Sequence, residues 1–140
     1  MSSMSLPELA EAMREIDITM LSTFTDGGLI ASRPMSNNGE VAYEGTSYYF
    51  TWAQSRMVKD IERNPFVHLG FQGSKTFLVS VQGKATLIRD KAQFEKHWTP
   101  DLDNWFEDGI DTEGVVMIKV TADRIHYWDG EDGGEVELDI

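Results

Sequence analysis

Short runs in which apolar and polar residues alternate, each closed by a turn signal, recur through most of this 140-residue chain. Alternation is the period of a strand, whose side chains point to opposite faces in turn. Residues 18–25 read ITMLSTFT, and Asp26-Gly27-Gly28 after them is a hairpin signal. Residues 29–35 return, with Leu29, Ala31, Arg33 and Met35 on one face. Further strands are predicted at 45–52, 67–71, 77–88, 115–120 and 125–128. In the longest, Phe77, Val79, Val81, Ala85 and Leu87 share one face, while Ser80, Gln82 and Lys84 lie on the other. Both faces are therefore in use, which suits a barrel strand that packs inward and meets a second subunit outward. Gly83 interrupts this run and predicts a bulge or a close backbone approach. Short strands with turns between them predict a mainly β fold: an antiparallel barrel of six to seven strands with flanking helices, not a doubly wound parallel sheet.

Three helices complete the pattern. The first lies within residues 1–16: Ser5 and Glu8 have the spacing of a capping box, and Leu6, Leu9, Met13 and Ile16 form one stripe. A second follows Ser55, and a third runs over 90–98 from an Asp90 cap, with Phe94 and Trp98 facing the core. The acidic connector 99–113 lacks the ligand order of a calcium loop, and Trp105 and Phe106 are expected to pin it down. Residues 131–140 are acidic and glycine-rich and read as a frayed tail. No repeat or linker divides the chain, so residues 1–140 read as a single domain.

The segment 48–71 carries the chemistry. It reads strand, turn, short helix, strand. Met57, Val58 and Ile61 give the helix an apolar face, and Arg56 and Lys59 share another. Asn64-Pro65 ends it, because proline pushes the preceding residue out of the helical region. Two cations beside a helix N-terminus suit a phosphate, since free N–H groups and the helix dipole both favour an anion. The alternative is a solvated basic face, with Arg56 paired to Asp60. Arg33 has two readings as well: it lines a site, or it points outward from an edge strand, where Pro34 is tolerated.

Composition removes other classes. A net charge of −12 repels nucleic acid and anionic membrane, so neither is an expected partner. Without cysteine there is no disulfide, thiolate site or cysteine nucleophile. The three histidines share no helical spacing, so no metal site is expected. No phosphate-loop or dinucleotide fingerprint occurs. The segment MSSMSLPELAEAM lacks the basic and apolar regions of a secretion signal, and the chain is expected to be cytoplasmic.

Tyr49-Phe50-Thr51, Ser55-Arg56-Met57 and Asn64-Pro65 together resemble the cofactor segment of the pyridoxamine phosphate oxidase-like flavin-binding split barrels, in particular the general stress protein branch. The family follows Ser-Arg with lysine; Met57 stands there in this chain. Arg33-Pro34-Met35 is similar to the family's flavin-lining segment, and Tyr127-Trp128-Asp129-Gly130 to its aromatic-Trp-Gln-Gly. The resemblance implies a split barrel that binds FMN, with FAD, haem or deazaflavin as alternatives. It implies a homodimer with the cofactor at the subunit interface. It assigns cofactor contacts to Arg33, Met35, Thr51, Ser55, Arg56, Lys59, Lys75, Gln82 and Trp128. Arg56 would be the main phosphate anchor. The implied function is a flavin-dependent oxidoreductase of an unnamed small substrate; the alternative is a non-catalytic flavin-binding stress-response module. Residues 130–140 contain no arginine or histidine, unlike the family's substrate-phosphate segment, so the vitamin oxidase reaction is not expected.

Overall fold

The computed structural model describes residues 4–36, 43–73 and 76–138. Helix α1 (Leu6–Met13) opens on a capping box: Ser5 Oγ accepts from the Glu8 N–H, and Glu8 Oε1 accepts from the Ser5 N–H. Strand β1 (Ile18–Phe24) turns through Gly27 and Gly28, at φ of 89° and 78°, into β2 (Ile30–Ser36). Glycine suits both positions because a Cβ disfavours positive φ. There follow β3 (Thr46–Trp52), α2 (Arg56–Arg63), β4 (Phe66–Gln72), β5 (Phe77–Ile88), α3 (Lys91–His97), two 3-10 turns, β6 (Val115–Asp129) and β7 (Asp132–Val136).

The seven strands form one antiparallel sheet in the order β2-β1-β4-β5-β6-β3, with β7 also paired to β6. No ladder joins β2 to β3 among the described residues, so the barrel is split rather than closed. Tyr49 of β3 nevertheless belongs to the same core as Leu21 of β1, which requires the sheet to coil round on itself. Across the inner face, Arg33, Leu21, Leu69, Val81 and Ile125 lie side by side on five strands. The four apolar members of that row are fully buried. Leu9 and Met13 of α1 and Met57 and Ile61 of α2 complete this core. A second cluster, of Phe50, Phe94, Phe106, Val115 and Met117, lies where α3 and the connector cover the β3 side of the sheet.

Three expectations need correction. Residues 115–128 are not two strands: β6 runs unbroken, because β5 pairs with it on one side while β3 and then β7 pair on the other. Residues 131–140 are not a frayed tail, since β7 occupies 132–136 with Val136 buried; residues 139–140 lie outside the described residues. Trp105 does not pin the connector. It is 70% exposed, and Phe106 alone is buried. The expected irregularity at Gly83 is present as a register shift between Gln82 and Gly83. Among the described residues, no helix is long and apolar enough to cross a membrane.

Candidate functional site

Polar side chains of α2, β1 and β2 converge where α2 packs against β1. Alternation along β1 turns Thr23 inward beside Leu21, and it is buried at 2% exposure. Register places Arg33 on the same inner face of β2. Helical spacing places Asp60 three residues after Met57 and next to Ile61, inside the buried stripe of α2, and its side chain is fully buried.

These groups are connected. Arg33 Nη1 donates to Thr23 Oγ1 at 2.9 Å, and Thr23 Oγ1 donates to Asp60 Oδ2 at 3.0 Å. Arg33 Nη2 lies 3.9 Å from the same carboxylate oxygen. Arg63 Nη2 donates to Asp60 Oδ1 at 2.6 Å. Burying a carboxylate is costly unless it is paired and hydrogen-bonded, and here both oxygens are engaged. Burial pulls the Arg33 pKa down, Asp60 pushes it back up, and the charge of Arg56 lowers it again. Arg56 and Arg33 are therefore electrostatic neighbours. The charge of Arg56 is thus felt at Arg33, in a chain of net charge −12.

At the start of α2, Ser55 Oγ accepts from the Val58 N–H at 3.3 Å. The N–H groups of Arg56 and Met57 precede it in the first turn, where an α-helix offers no internal acceptor. Arg56 itself is exposed and pairs with Asp26 Oδ1 at 3.3 Å, not with Asp60. That contact joins two well-exposed side chains and contributes little to stability. Met57 is buried in the main core at 4% exposure, so the position of the family's lysine is turned inward here.

The other residues expected at the site are spread out. Thr51 is half-buried on β3, on the same face as Tyr49, near the turn into α2. Lys59 is exposed on α2, and Met35 packs against the main core. Lys75 lies outside the described residues. Gln82 and Trp128 sit on the outer face of the sheet, opposite to the row that holds Arg33. Trp128 is also four strands from β2, about 19 Å along a flat sheet. One chain thus brings Arg33 and Arg56 together but does not bring Trp128 to them. A groove of about 860 Å³ beside Ile18, Met20 and Phe77 is lined, among the described residues, by the acidic Glu15, Asp17 and Asp129 and by no cation.

Sequence reading missed Thr23, Asp60 and Arg63. The signal for Asp60 was present: an acidic residue at the spacing of an apolar helical stripe is buried and must have partners.

The family model for pyridoxamine 5'-phosphate oxidase-like proteins matches residues 5–138. The chain belongs to the pyridoxamine 5'-phosphate oxidase-like family. Its similarity to general stress protein 26 of Bacillus subtilis (strain 168) is 27% identity over 113 residues, 77% of this chain and 80% of that protein. A related structure from Clostridium acetobutylicum, described as related to general stress protein 26, superposes with a TM-score of 0.80 at 22% identity, covering 93% of this chain and 92% of that one. The general stress FMN/FAD binding protein of Xanthomonas citri gives a TM-score of 0.76 at 19% identity, over 96% and 95% of the two chains. At these identities the two structures establish the split-barrel fold of this family member.

Proposed function

We propose that this family member binds FMN, with the phosphate held between Arg33, Arg56 and the first turn of α2, and acts as a flavin-dependent oxidoreductase on a small substrate. The observation that carries the reading is Arg33, held by Thr23 and Asp60 beside α2, whose first residue is the exposed Arg56, in a strongly acidic chain. Arginine offers a fork of donors that matches phosphate oxygens, and the helix start adds N–H groups and a favourable dipole. Arg33 is the better organised of the two cations. It is held by Thr23 and Asp60, and its side chain keeps 23% of its exposure. FMN suits the site better than a larger dinucleotide, because a terminal phosphate dianion uses both cations. Family membership and the FMN/FAD binding described for the Xanthomonas citri structure support the reading. When bound, the flavin supplies the electron and hydride transfer; the chain supplies phosphate binding and orientation.

We also propose that two copies assemble as a homodimer and complete one cofactor site between them. Trp128 and Gln82 would then reach the flavin from the partner subunit, which accounts for their distance from Arg33 within one chain. An acidic, cysteine-free chain of this kind suits the reducing cytoplasm.

Titration of FMN with fluorescence quenching as the readout tests the anchor. Each charge-assisted contact contributes about 1.5–3 kcal/mol, so Arg33→Gln and Arg56→Ala should each weaken FMN binding roughly 10- to 150-fold. Arg33→Gln should have the larger effect, because Arg33 is already held in place. Wild type and both variants of equal affinity would reject the phosphate site.

A further inference from the structure

Asp60 touches no solvent, yet it is bound to three groups on three elements: Thr23 on β1, Arg33 on β2 and Arg63 on its own helix. The direction of the proton on Thr23 is fixed. Arginine can only donate and a carboxylate can only accept, so the Thr23 hydroxyl accepts from Arg33 and donates to Asp60. The chain Arg33–Thr23–Asp60 therefore has one polarity and no alternative arrangement. It uses one N–H of Arg33 Nη1, and the ion pair to Asp60 draws on Nη2 at 3.9 Å; among the described residues no other hydrogen bond engages the fork. Asp60 also offsets charge. Without it, Arg33 and Arg63 would lose the carboxylate they share, and Arg33 would still feel the charge of Arg56.

We propose that Asp60 is the positioning residue of the anion site: acting through Thr23, its buried carboxylate fixes the guanidinium of Arg33 so that the remaining donors are set for the cofactor phosphate. The inference rests on the proposed FMN reading. Asp60 does not touch the ligand. Its effect falls on the phosphate end of the flavin alone. An asparagine at this position has one acceptor oxygen and one amide that only donates. It cannot accept from both Thr23 and Arg63 in the present geometry, so one link must break.

Riboflavin, which has the ring and ribityl chain of FMN but no phosphate, separates positioning from general structure. The measurement compares FMN and riboflavin affinity by fluorescence quenching for wild type, Asp60→Asn and Thr23→Val, with thermal melts of each protein alone. Asp60→Asn should weaken FMN about tenfold or more while riboflavin changes less than about twofold. Thr23→Val keeps shape and the Asp60–Arg63 pair but removes the relay, so it should reproduce the selective loss. It also carries the test if Asp60→Asn does not fold. The double variant should bind FMN no more weakly than the worse single one, because both cut the same chain. If FMN and riboflavin affinities fall in parallel with the melting temperature, the role is structural and the proposal is overturned. If wild type binds FMN and Thr23→Val binds it equally well, the positioning role fails while the flavin reading stands. If wild type does not quench FMN at all, the flavin reading fails and the proposal with it.

Discussion

His68, on β4, is half-buried with Nε2 2.6 Å from Ser80 Oγ, on the outer face of the sheet. Burial lowers its pKa below the ordinary value near 6.5. His97 shifts the same way, through burial first and then the charges of Lys96 and Lys119, and it stacks on Tyr48. A folded pKa below the unfolded one means that the fold disfavours the protonated ring. The stabilisation from each neutral histidine is full above the unfolded pKa and is lost as pH falls through the folded one. Melting temperature should therefore drop between pH 7.5 and pH 5, before most carboxylates titrate, and His68→Gln should drop less than wild type. Equal drops would show that His68 does not carry the effect. At this scale the sequence was informative about charge but not about partners. Arg33 stood out because it interrupted an apolar face, its direction was open between inward and outward, and register places it inward. Thr23 reaches it across the β1–β2 hairpin, but Asp60 is distant in sequence and arrives only through the packing of α2 on β1.

Among the elements, β5 runs over Phe77–Ile88 as its alternation predicts, because one face is buried from Phe77 to Ala85 and the other is not. Where two ladders replaced alternation as the cause, the sequence was silent. Residues 121–124 of β6 are polar apart from Ala122 and read as a break, and β7 is mostly acidic and glycine, yet hydrogen bonds to neighbouring strands hold both extended. Gly83 illustrates the limit from the other side. Its place in a strand predicted a close approach, and a Cβ there would overlap the carbonyl oxygen of Thr121. The obstacle is backbone on the adjacent strand, so it cannot rotate away. Gly83→Ala should cost about 1–3 kcal/mol, the usual scale of overpacking, and should shift the urea midpoint without altering the slope. An unchanged midpoint would show that the β5–β6 bulge relaxes freely.

For the whole molecule, the decisive asymmetry is between the two faces of the sheet. Ile18, Met20, Phe24, Ile30, Phe66, Leu78 and Trp128 are each at least 42% exposed. All lie on the outer face between β2 and β6, where neither α3 nor the connector covers them. Folded monomers seldom leave apolar patches above a few hundred Å² open to water. The net charge of −12 opposes non-specific association, so burial of this face requires a specific, self-complementary contact. A homodimer of ordinary size would bury about 1,600 Å² in total. Met20 lies within this face on β1, flanked by β2 and β4, and belongs to neither the phosphate network nor the proposed ring contacts. Met20→Asp keeps an exposed position exposed in the monomer, but it would bury an unpaired carboxylate in the dimer. Light scattering should give a dimer for wild type at micromolar concentration and a monomer for Met20→Asp. FMN affinity should fall with the dimer, because half of the site is lost. A wild-type monomer with FMN added would reject the assembly. A monomeric Met20→Asp that binds FMN as tightly as wild type would reject the shared site and leave the phosphate network of one chain as sufficient for binding.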